Sequence, residues 1–136
     1  MSVLYRAAKI AEQAHAGQTD KTGQPFIEHC RRVADAVETV DQKAYLRDVL
    51  EKGDGWNRDR LERIGLGPSI VSAVDALTRR SDEDDLAFIR RAAANPLALP
   101  VKRADLVDNL RQARQTGAAT SKYQEGLRVL DEEFPN

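Results

Sequence analysis

Aromatic residues make up only 5% of the 136-residue chain, so a core must be assembled from Leu, Val, Ile and Ala. That alphabet suits packed helices better than a β-sandwich. There is a single cysteine, Cys30, which excludes an intrachain disulfide and a cysteine-built zinc cage within one subunit. No apolar run approaches membrane-spanning length, and Met1-Ser2-Val3-Leu4-Tyr5-Arg6 lacks the apolar stretch of a signal peptide, so a soluble cytoplasmic protein with no membrane partner is expected. Excess charge of one sign is missing too. With 21 Lys and Arg against 22 Asp and Glu the net charge is -1, which excludes nucleic-acid binding driven by bulk charge. A local basic pocket for a phosphorylated small molecule stays open, because net charge does not report clefts. Repeats, low-complexity tracts and long linkers are absent, so residues 1–136 read as a single domain large enough to bury a core without staples.

What the chain does have is apolar residues at helical spacing. Leu4, Ala7, Ala8, Ala11 and Ala14 form a stripe that Gly17 would end as a C-terminal cap. Residues 18–25 are polar, contain Gly23 and Pro25, and read as a loop. Phe26 to Val40 is predicted as a second helix burying Ile27, Val33, Ala34 and Val37, and Gln42 to Lys52 as a third, ending at Gly53-Asp54-Gly55. Asn57 can cap a short helix to Ile64, and Gly67-Pro68 opens another to about Arg79, with proline at the first helical position. Ser81 or Asp82 is expected to cap the next helix, with Asp82, Glu83, Asp84 and Asp85 favourable at the positive end of its dipole. Asn95-Pro96 and Pro100 mark the start of a helix carrying Lys102 to Arg114, and Thr120 or Ser121 starts the last one, through about Phe134. The expectation is an all-α fold of seven or eight helices.

Three of these helices carry one metal-ligating side chain each: His29, Asp48 and Asp105. Metal sites between packed helices are built in this way. Each residue alone is ordinary, since a histidine near a helix start is usually just hydrogen-bonded and a helical aspartate is usually solvated. Their surroundings are more specific. Gly17-Gln18, then Lys21-Thr22-Gly23-Gln24-Pro25-Phe26-Ile27-Glu28-His29, then Arg47-Asp48 with Glu51-Lys52, then Val74-Asp75-Ala76-Leu77-Thr78-Arg79, Phe88-Ile89-Arg90-Arg91-Ala92 and Val101-Lys102 with Asp105 and Asn109 follow in order. Together these blocks resemble the HD-domain phosphohydrolases, in particular the small alarmone hydrolases that remove the 3'-pyrophosphate of ppGpp. The resemblance runs from about Leu4 to Leu130 and implies a compact helical HD-type fold. It also implies one manganese-type divalent ion, held by a His, an adjacent His-Asp pair and a distant Asp, with a Glu-Asp pair handling the attacking water. His29, Asp48 and Asp105 would be metal ligands, Glu51 the catalytic carboxylate, and Lys21, Thr78, Arg79, Lys102 and Asn109 contacts to the nucleotide. Read without the family, Lys21 and Arg79 are ordinary surface cations.

Four positions depart from that pattern. Arg47 stands where the second metal histidine belongs, and Lys52 where the second water-handling carboxylate belongs. Thr19 and Asp20 occupy a place where the family often has arginine, and Cys30 follows His29 where proline is usual. His15 fits the first-helix pattern as a packing or supporting histidine. The Arg47 exchange has the largest consequence. Pyrophosphate hydrolysis needs an ion to polarise phosphoryl oxygens and activate water, through mixed nitrogen and oxygen ligation. A guanidinium supplies no lone pair and keeps its charge. At about 4 Å and an effective dielectric near 20 the repulsion is roughly 4 kcal/mol per unit charge, and double that against a divalent ion. Losing the carboxylate at position 52 removes one of two acid/base groups, in a step where such assistance contributes roughly 10²–10⁴-fold. Two arrangements of this helix follow. Arg47–Glu51 and Asp48–Lys52 could pair at i,i+4 along an exposed face. Alternatively, the Arg47 guanidinium could take the ion's place and neutralise Asp48 and Asp105. The functional readings are a manganese-dependent pyrophosphohydrolase of a guanosine polyphosphate or related nucleotide, with its metal site impaired, or a metal-free pseudoenzyme that binds a nucleotide or a partner.

Overall fold

The structure is a computed structural model that describes residues 3–37, 42–53 and 55–135. The side chain of Leu4 and the predicted boundary residues Val40 and Asp54 lie outside the described residues. The regular secondary structure among the described residues is all helical, as the composition favours. Helices α1 (Val3–Ala14), α2 (Phe26–Ala36), α3 (Gln42–Leu46), α4 (Val49–Lys52), α5 (Arg58–Ile64), α6 (Pro68–Ala76), α7 (Asp85–Ala93), α8 (Leu99–Thr116) and α9 (Ser121–Glu133) follow in order. Nine helical elements therefore stand among the described residues; α3 and α4 are the two halves of one predicted helix. The loop between α1 and α2 is pinched by an isolated antiparallel bridge between Thr19 and Pro25. Gly17, at φ 80°, turns the chain out of α1 as a left-handed residue.

The core divides into three apolar clusters. Ala7, Ile10 and Ala14 of α1 pack on Leu46, Val49, Leu61, Val71 and Val74. Val33 and Ala34 of α2 pack on Leu77, Phe88 and Val101. Ile89, Leu106 and Leu110 meet Tyr123, Val129 and Leu130 of α9. Of the residues predicted to be buried on α2, Val33 and Ala34 are fully buried while Ile27 and Val37 are half-buried. Helix α8 runs through the middle of the domain, against α2, α7 and α9. Its buried side is mixed, for Lys102, Asp105, Asp108 and Gln112 are buried beside Val101, Leu106 and Leu110. Spacings of three and four place those four polar residues along one helix face. A buried polar face has to be paired by its neighbours, and this one forms the site described below.

Element boundaries differ from expectation at four places. Helix α2 ends at Ala36, before the predicted Val40. The predicted helix 42–52 breaks at Arg47-Asp48, where Asp48 has φ -100° and ψ -2°. Adjacent residues on a continuous helix do not face each other; the break lets both side chains turn inward. Helix α6 stops at Ala76, short of Arg79, and the Thr78 hydroxyl donates to the Val74 carbonyl at 2.7 Å. Helix α7 is capped by Asp84, whose carboxylate accepts from the Ala87 amide at 2.7 Å, in place of Ser81 or Asp82. Glu83, one residue earlier, is taken up by Arg91.

The Asn57 cap is as expected, its side-chain oxygen accepting from the Arg60 amide at 2.8 Å. Asn57→Ala should cost about 1 kcal/mol in urea unfolding, with Asn57→Ser close to wild type. Equal loss in both variants would mean that the cap contributes nothing and that another contact of Asn57 matters.

Candidate functional site

Helix α2 sets His29 against the polar face of α8. Its Nδ1 meets the Asp108 carboxylate and its Nε2 lies 3.1 Å from Asp105 Oδ1. Asp108 also accepts from Arg32 Nε at 2.8 Å, Gln112 Nε2 at 2.8 Å and Arg111 Nε at 3.2 Å. Arg32 reaches on to Asp20 Oδ2 at 2.9 Å. Asp20 in turn organises the loop between α1 and α2, accepting from the Thr22 amide at 2.8 Å, the Thr22 hydroxyl at 2.6 Å and the Gln24 amide at 3.2 Å. The Lys21 amide donates to Gln112 Oε1 at 3.1 Å, and so ties the same loop directly to α8. Carboxylates that orient a histidine through its second nitrogen fix which nitrogen faces the site centre. Here Asp108 turns Nε2 toward Asp105.

Burial would raise these carboxyls, but their partners outweigh it. Arg47 and Lys102 hold Asp105 well below the usual carboxylate range. Burial likewise opposes ionisation of Asp108, and hydrogen bonds from His29, Arg32 and Gln112 bring its carboxyl far down. For Asp20 the Thr22 and Arg32 hydrogen bonds overcome burial in the same direction. Cys30 is opposite in kind: burial pushes its thiol up to about 12, so it serves as a packing residue.

The three candidate metal ligands do converge. His29, Asp48 and Asp105 each offer a ligand atom, and these atoms lie within 4.8 Å of one another. Arg47 stands among them. Its guanidinium Nη1 pairs with Asp48 Oδ2 and lies 3.0 Å from Asp105 Oδ1, and the residue is only 3% exposed. The exposed i,i+4 pairs Arg47–Glu51 and Asp48–Lys52 are replaced by this inward arrangement, because the break at Arg47-Asp48 turns both side chains toward α8. Lys52 instead sets its ammonium 4.7 Å from the centre of the Phe26 ring, and a Glu51 oxygen accepts from the Arg79 amide at 3.4 Å. The donor types suit a divalent ion, but a permanent cation touches both ligand carboxylates. The residues present therefore do not fit a resident ion.

Above this cluster opens a cavity of about 280 Å³. His29, Arg47, Asp48 and Asp105 line it together with the cations Lys21, Lys52, Arg79, Lys102 and Lys122. Its apolar wall is formed by Leu77, Phe88, Ile89, Leu106 and Tyr123. Lys102 reaches Asp105 Oδ2 at 3.4 Å and covers the Phe88 ring at 4.1 Å. Lys21 donates to Asn109 Oδ1 at 2.6 Å, while Asn109 Nδ2 donates to Asp105 Oδ1 at 2.9 Å. Arg79 is paired with Asp85 and donates to the Glu83 carbonyl at 3.1 Å. Lys21 and Lys122 flank Tyr123, 5.2 and 5.1 Å from its ring centre.

Of the residues singled out in the sequence, Lys21, His29, Arg47, Asp48, Glu51, Arg79, Lys102, Asp105 and Asn109 all line this one cavity. Thr78 is not among its lining residues and uses its hydroxyl on its own helix end. His15 is buried against Phe26, with ring centres 4.8 Å apart, and shares Nδ1 with Gln18 Oε1 at 2.8 Å. Gln18 then donates to the Lys52 carbonyl at 2.8 Å, so His15 supports the loop and α4 rather than joining the cluster. Burial lowers the His15 pKa. Sequence reasoning missed Asp108, Gln112, Arg32, Lys122 and Tyr123. A usable signal existed for the first two, since Asp105, Asp108 and Gln112 recur at helical spacing on a segment predicted as a helix.

No family model matches the chain. It is similar to the probable GTP pyrophosphokinase of Mycobacterium leprae, 28% identical over 84% of this chain and 16% of that protein. The bifunctional (p)ppGpp synthase/hydrolase RelA of Mycobacterium tuberculosis is also 28% identical, over 84% of this chain and 17% of its own length. The probable GTP pyrophosphokinase of Mycobacterium bovis gives 28%, 84% and 16%. The chain thus spans about a sixth of the length of these curated relatives. Among the described residues no helix is long and apolar enough to cross a membrane.

Proposed function

We propose that this domain binds a guanosine polyphosphate of the ppGpp type, or a related nucleotide polyphosphate, in the cavity over Asp105. The observation that carries this reading is the convergence of Lys21, Arg79, Lys102 and Lys122 on one cavity that also has an aromatic and aliphatic wall. Cations at such a rim meet phosphate oxygens through charge-assisted hydrogen bonds, and the apolar wall offers a face to a purine. Several of these cations are engaged internally, with Asn109, Asp85 and Asp105, and exchange those partners for phosphate. The names of the mycobacterial relatives supply the nucleotide class.

Binding is favoured over turnover by magnitude. Glu51 lines the cavity and is placed to take a proton from water. General-base assistance by itself is worth roughly 10²–10⁴-fold, whereas enzymes achieve about 10⁶-fold or more. The remainder is what a polarising ion would have to supply, and Arg47 stands in that ion's place. The second reading is a manganese-dependent pyrophosphohydrolase using His29, Asp48 and Asp105, supported by the convergence of those three donors within 4.8 Å.

Thermal unfolding with ppGpp, in EDTA and then in manganese, separates the two. A ligand at 100 times its Kd adds about 2.7 kcal/mol, a rise in Tm on the order of 10 °C for a domain of this size. A rise that is the same in EDTA and in manganese, with no pyrophosphate released, is expected. The same concentration leaving Tm unmoved in both would sink the nucleotide reading, and manganese-dependent pyrophosphate release would establish the hydrolase instead.

A further inference from the structure

We infer that the Arg47 guanidinium is the resident cation of the His29–Asp48–Asp105 cluster, so that the site is held together by a side chain and excludes a divalent ion. This goes beyond the nucleotide-binding reading and holds whether or not a nucleotide binds.

The shape of the contact is the first argument. Arginine usually meets carboxylates as a fork, with two nitrogens on two oxygens. Here Asp48 Oδ2 and Asp105 Oδ1 both converge on the single nitrogen Nη1. Nε and Nη2 are buried with no hydrogen-bond partner among the described residues. Oxygens converging on one point are arranged as ligand atoms are about an ion, and His29 brings a third donor to the same place. A planar group fills a point-shaped site with one of its nitrogens.

Charge balance is the second. The buried carboxylates Asp48, Asp105 and Asp108 are faced by Arg47, Lys102 and Arg32, three charges against three. Asp20 and Arg111 join at the edge, each already paired within the set, and leave it neutral. A divalent ion added to this cluster would face an unmatched excess of positive charge in a poorly solvated setting. In a cluster with a histidine at position 47, the same ion would find an extra lone pair and one positive charge fewer.

The test needs no nucleotide. Purified protein is dialysed against manganese and then buffer, its metal content is measured by plasma mass spectrometry, and its Tm is recorded with manganese and with EDTA. The wild type should hold no stoichiometric manganese and show the same Tm in both. Arg47→His should retain about one ion per chain, and its Tm should rise with manganese and fall with EDTA. Stoichiometric manganese in the wild type, or a wild-type Tm lowered by EDTA, would overturn the inference. So would a folded Arg47→His protein, checked by circular dichroism, that takes up no ion, because the donors would then not form an ion shell. If Arg47→His does not fold, the wild-type metal content and EDTA response decide alone. Failure here leaves the ppGpp-induced Tm shift untouched, and loss of that shift leaves these metal measurements untouched.

Discussion

Arg47→Met is expected to destabilise the fold by about 3–5 kcal/mol, the cost of leaving buried carboxylates without their cation. That is a large part of the roughly 5–15 kcal/mol a domain of this kind possesses. Methionine keeps the bulk of the side chain and removes only its charge and donors. Asp48 and Asp105 are each 7% exposed, so neither recovers its lost partner from bulk water. Lys102 and Asn109 still reach Asp105, which leaves Asp48 as the more exposed to loss of its partner. One effect works the other way. Nε and Nη2 have no partner among the described residues, so removing these two unsatisfied buried donors offsets part of that cost. The ion-pair loss is expected to prevail, because Asp48 loses its ion-pair partner while buried and Asp105 loses one of its two cations. The double variant Arg47→Met with Asp48→Asn should recover most of the stability, since replacing both members of a buried pair is often close to neutral. Arg47→Lys, a point charge on a shorter stem, should lose less than Arg47→Met. Urea unfolding with an unchanged m-value measures all three. A loss below about 1 kcal/mol in Arg47→Met would mean that water or a shifted side chain already screens Asp48, and that the pair is not what fixes the α3–α4 break.

How far the sequence could be read depended on whether a feature is local. Helix existence followed from periodicity and punctuation, and Asn57, Pro68, Pro100 and Gly17 act where they were expected to. Boundaries failed where a tertiary contact overrode the local signal. Nothing in Gln42–Lys52 announces a break, because the force that turns Arg47 and Asp48 inward comes from Asp105, dozens of residues away. The α7 cap moved to Asp84 because Glu83 is committed to Arg91. In the site, the motif blocks identified residues that converge, and the possibility that Arg47 neutralises Asp48 and Asp105 was open from charge alone. The network that holds those groups in place was not legible. Helical spacing puts Asp108 on the face of Asp105, but nothing in one dimension links it to Arg32 or Asp20. Only the packing of α2 on α8 joins them into a relay that ends on His29. Lys122 and Tyr123 fall at the start of the last predicted helix, and they reach the cavity only because α9 folds back onto α8.

Arg91→Met should cost about 1.5–3 kcal/mol near neutral pH, and the part owed to Glu83 should disappear in acid. Arg91 holds Glu83 with two hydrogen bonds, Nε to Oε2 at 2.7 Å and Nη2 to Oε1 at 2.9 Å. Its Nη2 also donates to the Thr78 carbonyl at 2.6 Å, so one guanidinium pins both ends of the segment between α6 and α7. Arg79 lies on that segment and donates to the Glu83 carbonyl, which connects the clamp to the cavity rim. The Arg91 hydrogen bonds, working against a smaller effect of burial, lower the Glu83 carboxyl from 4.5 to about 2. A depressed carboxyl stabilises the folded state when ionised. Its contribution is therefore complete above the unfolded value of 4.5 and is lost as pH falls through about 2. The gap between wild type and Arg91→Met should stay constant from pH 7 down to about 5 and close progressively below that. Arg91→Lys, which cannot bridge both oxygens, should fall between the two. Arg91 also lies 5.6 Å from the centre of the Phe88 ring, so part of its effect could come from packing. Urea unfolding at about pH 7, 5 and 3 separates the contributions, because packing does not titrate. A gap that persists undiminished at pH 3 would assign the loss to the Phe88 and backbone-carbonyl contacts of Arg91, and leave the segment carrying Arg79 held by something other than Glu83.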